Sequence, residues 1–74
     1  MVTPITASLF PIYSGYSAID QCQADYDYAA TENDELSIKV GDVINITLRH
    51  DDGWWRGELN GKTGLFPASY VHEL

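Results

Sequence analysis

The chain is short of positive charge, of cysteine and of helical periodicity. Four Lys and Arg residues stand against eleven Asp and Glu in 74 residues, a formal net charge of −7. Nucleic-acid phosphates and anionic lipid surfaces repel such a chain, so neither is an expected partner, whereas basic ligands are attracted. The cations, Lys39, Arg49, Arg56 and Lys62, form no run. A single cysteine, Cys22, excludes an internal disulfide and most metal frameworks, and fits a reducing, cytoplasmic setting. No apolar run approaches the roughly 20 residues of a membrane helix, and the N-terminus lacks a basic start with an apolar block. Membrane insertion and a secretory leader are therefore not expected. Nor is there a Gly-rich phosphate loop, an acid–base pair set by a motif, or metal-ligand spacing around His50 and His72. No catalytic residue, metal or cofactor is expected, which makes an enzyme the least supported class.

What remains is one small domain's worth of chain. It is 45% hydrophobic and 20% charged, an ordinary globular balance. A chain of this size buries about 60% of the surface its unfolded state exposes, so its core is small. Residues 1–21 mix Pro4, Pro11 and Gly15 with Leu9, Phe10, Ile12, Tyr13, Tyr16 and Ile19, and hold no sustained period. They read as an extended arm or linker preceding a domain over residues 22–74.

Within that domain the period is two. Cys22, Ala24 and Tyr26 alternate with polar neighbours, as in a half-buried strand. Residues 29–35 form a polar loop, and Leu36 and Ile38 then flank Ser37 in strand fashion. Ile44 and Ile46 share one face of a β-branched run, and residues 50–53 make a second polar loop. A strand from Trp54 to Leu59 meets Asn60-Gly61, the pair that favours a type I′ hairpin. The return strand stops at Pro67, and Ala68-Ser69-Tyr70 suits one 3₁₀ turn before a last strand. Five short strands without an amphipathic helix predict an all-β barrel or sandwich. Leu36, Ile38, Ile44, Ile46, Phe66 and Val71 are its expected core, with Cys22 a buried small hydrophobe and Gly57 keeping its strand slim. Adjacent strand residues point to opposite faces, so Trp54 and Trp55 cannot share a core. One indole is left for packing and the other for a partner.

Four motifs in order carry a resemblance. Ala24-Asp25-Tyr26-Asp27-Tyr28, Asp34-Glu35-Leu36-Ser37-Ile38 with Gly41-Asp42, Gly53-Trp54-Trp55, and Gly64-Leu65-Phe66-Pro67-Ala68-Ser69-Tyr70-Val71 resemble an SH3 domain over about residues 22–74. The run from Gly53 to Pro67 looks like the SH3 domains of class I myosin tails and endocytic or cytoskeletal adaptors. The resemblance implies a five-stranded SH3-type barrel of two packed antiparallel sheets with a short 3₁₀ turn. It also implies a non-catalytic signalling or cytoskeletal module that binds PxxP segments in polyproline II form. By resemblance, Tyr26 and Tyr70 line a first proline slot, and Tyr28, Trp54, Pro67 and Tyr70 a second. Trp54 then walls a third pocket for a ligand Arg or Lys, with Glu35 the main partner and Glu32, Asp34, Asp51 and Asp52 adding to the field. Ser69 stands where the family commonly has Asn; its hydroxyl reaches less far, so the family's ligand hydrogen bond is expected to be lost or water-bridged, and Asp25 stands where Leu is usual. Asp27 reads as a loop hydrogen-bond acceptor. A monomer is expected. The alternative is self-association, with the arm packing on its barrel or swapping between chains.

Overall fold

Strand β2, Val43–Arg49, is the strand on which the architecture turns. The computed structural model describes residues 20–74, so residues 1–19 of the expected arm, with the arm-mediated dimer, lie outside the described residues. β1 is Gln21–Ala24, β3 Trp54–Leu59, β4 Lys62–Pro67 and β5 Val71–Glu73, with a 3₁₀ turn at Ala68–Tyr70. The antiparallel order is β4-β3-β2-β1-β5. β2 pairs with β1 through Val43, Ile44 and Asn45, then with β3 from Asn45 to Arg49, across a bulge between Ile46 and Leu48. One strand thus serves both expected sheets, and the bulge supplies the bend that lets them close on one core.

That core is Cys22, Ala24, Leu36, Ile38, Ile44, Ile46 and Phe66. β1 and β2 contribute alternate residues to it, as the period-2 pattern requires. β3 contributes Gly57. A Cβ there would lie 2.7 Å from the Asn45 carbonyl oxygen, 2.7 Å from Ile44 Cγ2 and 3.0 Å from the Phe66 ring. The hairpin beyond it has Asn60 at φ 53° and Gly61 at φ 84°, the two left-handed residues of a type I′ turn. Gly61 N–H donates to Glu58 Oε2 at 2.8 Å, and Asn45 Nδ2 donates to Glu58 Oε1 at 2.9 Å.

Three expectations are corrected. β1 ends at Ala24, and Tyr26 lies exposed in the following bend, because Ala24 N–H and Asp25 N–H turn to the carbonyls of Asp42 and Tyr70. Leu36 and Ile38 are buried but belong to no ladder, being held by isolated bridges of Glu35 to Leu65 and Tyr28 to Ile38. Val71 is only half-buried at the margin of the core, since β5 is a three-residue edge strand.

Gly57→Ala should cost about 3 kcal/mol, the upper end of overpacking, because the clash is with backbone that cannot yield. Gly61→Ala meets nothing within 4 Å and should cost about 1 kcal/mol for its left-handed φ. Urea denaturation of the two variants checks the contrast. Burial pushes the Cys22 thiol up to about 11. Stability from keeping it protonated is therefore present below the unfolded thiol range and declines as pH rises from about 9 toward 11. Iodoacetamide at pH 8 should label Cys22 only in denaturant.

Candidate functional site

Four aromatic rings form one row on the surface. Tyr26 comes from the bend after β1, Tyr70 from the 3₁₀ turn, Tyr28 from the long loop and Trp54 from the start of β3. Ring centroids are 5.7 Å apart for Tyr26 and Tyr70, 5.8 Å for Tyr70 and Tyr28, and 5.8 Å for Tyr28 and Trp54. Each contact is edge-to-face, at interplanar angles of 72°, 89° and 74°, so the row is notched rather than flat. Pro67 lies half-buried opposite Trp54 in the β3–β4 register.

Local backbone chemistry assembles this row. Pro67, at φ −70°, ends β4 and enters the 3₁₀ turn that presents Tyr70. Asp25 N–H donates to the Tyr70 carbonyl at 2.8 Å, drawing the exit of β1 alongside that turn. Ala68 N–H donates to the Gly53 carbonyl at 2.9 Å, tying the same turn to the loop before Trp54. Gly53 has φ 92°, a conformation suited to glycine, and Asp52 Oδ1 accepts the Trp54 N–H at 3.1 Å. Strand alternation then separates the indoles. Trp54 joins the row, while Trp55 lies opposite Phe66 and packs at the core margin beneath the Arg49 guanidinium, 4.9 Å from its ring.

Beside Trp54 opens a cleft of about 430 Å³ lined by Glu32, Asp34, Glu35, His50, Asp52 and Leu65. Its charge is set by four carboxylates with no Lys or Arg in the lining. Asp51 is exposed on the turn and does not line it. Ser69 is exposed next to Tyr70. Asp27 is drawn into the loop, where its Oδ1 accepts the Val40 N–H at 2.8 Å, as expected. His50 and Leu65 escaped sequence reasoning as lining residues. Leu65 carried a signal, since it alternates with buried Gly64 and Phe66 and must face outward.

Glu35 is the most constrained group of the cleft. Its Oε1 accepts the Tyr28 hydroxyl at 2.6 Å, the Thr31 N–H at 2.8 Å and the Thr31 hydroxyl at 3.0 Å. These donors, the Tyr28 hydroxyl first, hold the Glu35 carboxyl below the usual carboxylate range. The same bond raises the Tyr28 phenol above its ordinary value. Asp25, the residue in place of the usual Leu, is 2.7 Å from His72 Nδ1 across the β1–β5 edge.

A family model described as a variant SH3 domain matches residues 24–72. The chain is similar to the human SH3 domain-containing kinase-binding protein 1, with 46% identity over 54 residues. That alignment covers 73% of this chain and 8% of the relative, so the chain spans a small fraction of that relative's length. It is also similar to the C-terminal SH3 domain of myosin IB from Entamoeba histolytica bound to the EhFP10(GEF) peptide. There the TM-score is 0.74 and the identity 49%, over 80% of this chain and 98% of that one. The Acanthamoeba myosin I SH3 domain bound to Acan125 gives a TM-score of 0.72 and 49% identity, over 74% and 95% of the two chains.

The depressed Glu35 value makes its network a source of stability above the ordinary carboxylate range, lost as pH falls through the lower folded value. Glu35→Gln should therefore flatten the loss of stability between neutral pH and about pH 3. Thermal unfolding across that range checks it.

Proposed function

The chain belongs to the SH3 domain family, and from that premise we propose that it is a non-catalytic module that docks proline-rich segments and reads a flanking Arg or Lys. The observation that carries the reading is the meeting of two chemistries at one side chain. The notched row Tyr26, Tyr70, Tyr28 ends on Trp54, and Trp54 is also a wall of the acidic cleft.

A polyproline II segment is already extended and has three residues per turn, so it docks with little loss of entropy. Its proline rings fit the notches between edge-to-face aromatics. Tyr26 and Tyr70 form one slot, and Tyr28, Trp54, Pro67 and Tyr70 the next. Its backbone carbonyls have no internal partner and accept hydrogen bonds from tyrosine hydroxyls and the Trp54 indole. Ser69 sits beside Tyr70 where a short hydroxyl contact or a bridging water reaches the ligand. The cation enters the cleft of Glu32, Asp34, Glu35 and Asp52, with Asp51 adding to the field from its rim.

Each filled slot contributes roughly 1.5–2 kcal/mol of apolar burial, and the exposed ion pair little more than about 1 kcal/mol. Set against the cost of association, contributions of this size limit the affinity to a Kd on the order of micromolar or weaker. Weak, fast docking of this kind suits residues 22–74 acting as one recognition domain of a larger cytoplasmic protein. Its similarity to myosin I SH3 domains, one solved with the EhFP10(GEF) peptide and one with Acan125, supports a cytoskeletal setting for it.

Titration with a PxxP peptide carrying a terminal Arg should show micromolar binding that falls about tenfold or more in Trp54→Ala. Trp55→Ala should lower the unfolding midpoint yet leave Kd within about threefold. Replacing the peptide's Arg by Ala should weaken binding at low salt, with the difference shrinking as salt rises. Undiminished binding to Trp54→Ala would sink the assignment.

A further inference from the structure

Glu35 occupies a different structural position from the other carboxylates of the cleft. Its backbone is fixed on both sides, because Leu65 N–H donates to the Asp34 carbonyl at 2.8 Å and Leu36 N–H donates to the Leu65 carbonyl at 2.7 Å. Gly64 permits that approach. A Cβ at Gly64 would lie 2.9 Å from the Glu35 carbonyl carbon and 2.9 Å from the Leu36 nitrogen. From this fixed base the side chain reaches Tyr28 and Thr31 and gathers three donors on one oxygen. It stands in the wall between the acidic cleft and a broader cleft of about 930 Å³ beneath the same loop, which Tyr28 and Glu35 both line. Tyr28, in turn, is an inner ring of the row, in edge-to-face contact with both Trp54 and Tyr70.

We propose that Glu35 is a positioning residue for the aromatic row: its carboxylate clamps the Tyr28 phenol, so the proline slots depend on it even when the ligand carries no basic residue. The inference rests on the reading that the row takes a polyproline II segment. A phenol has one O–H, and the Tyr28 O–H points to Glu35. Tyr28 therefore offers the ligand its ring, and the donors to ligand carbonyls are the Tyr26 and Tyr70 hydroxyls and the Trp54 indole. Glu35 keeps Oε2 for the cation, so the cation cleft and the second proline slot share one carboxylate. The raised Tyr28 phenol and lowered Glu35 carboxyl are what a bond of this geometry produces.

The test uses two peptides, one with PxxP and a terminal Arg and one with that Arg changed to Ala, against the wild-type chain, Glu35→Ala and Glu35→Gln. For the Arg-free peptide, Glu35→Ala should weaken binding about threefold to tenfold, the usual effect of losing such a bond. Glu35→Gln, which keeps an acceptor oxygen and loses the charge, should stay within about twofold on that peptide while weakening the Arg-bearing one. In the unliganded protein, the Tyr28 ring resonances should shift in Glu35→Ala and shift less in Glu35→Gln. Equal binding of the Arg-free peptide to Glu35→Ala and wild type overturns the proposal, as do unmoved Tyr28 resonances. Should Glu35→Ala not fold, a double-mutant cycle replaces it. In that cycle Glu35→Leu is paired with Tyr28→Phe: each alone should weaken the Arg-free peptide about threefold to tenfold and the pair no more than either, whereas additive losses or no loss in Tyr28→Phe overturn the clamp. If the wild-type chain binds neither peptide, the docking reading itself fails and takes this inference with it.

Discussion

The fold depends on how closely β3 can approach the core at Gly57. Asn45, Ile44 and Phe66 leave no room for a Cβ there, so the strand crosses the interior as bare backbone. Once Gly57 is placed inward, alternation determines its neighbours. Trp55 turns toward Phe66 and the core margin, while Trp54 and Arg56 turn the other way. The outward position of Trp54 is thus a consequence of packing one and three residues away. With seven buried hydrophobic residues among those described, such a constraint has few compensations available.

Charge is segregated by the same fold. Arg49 is held by the carboxylates of Asp20 and Glu73 above Trp55, away from the aromatic row. Lys39 and Lys62 line the broader cleft beneath the loop. The acidic cleft beside Trp54 therefore keeps a single sign of charge, although the chain contains four cations. Exposed pairs of the Arg49 kind add little stability, so their clearer effect is on where positive charge is absent.

Much of this was legible in the residues because it follows from local rules. The left-handed Asn60-Gly61 turn, the bare crossing at Gly57, the buried Cys22 and the capture of Val40 N–H by Asp27 all express conformational or steric demands visible in short stretches. What escaped depends on contacts between distant segments. Gly64 resembles any strand glycine until the loop base is seen lying on it, and the pairing of Asp25 with His72 spans 47 residues. The expected strand at Leu36 and Ile38 has the right burial but no ladder, because burial alternates wherever a chain runs extended across a core. Periodicity reports the face and leaves the pairing open. For the candidate site the aromatics were assigned through motif resemblance, whereas the hydrogen bonds that orient them came only with the three-dimensional arrangement.

Those hydrogen bonds change how the acidic cleft should be understood. Glu35 is fixed through Oε1 by Tyr28 and Thr31, and Asp52 through Oδ1 by the Trp54 N–H. Two of the four lining carboxylates are thus oriented by hydrogen bonds of the fold itself. On the proposed reading, a long, flexible cation docking against fixed carboxylates would lose only its own rotamer freedom, so the ordering cost would fall on one partner instead of two. Asp52 links its carboxylate to the backbone of Trp54, and Glu35 links its own to the Tyr28 ring beside that indole. The cleft and the row are consequently a single preorganised surface. On the reading proposed above, discrimination among proline-rich ligands would then come from fitting both chemistries at once, since neither slot nor charge is strong enough alone.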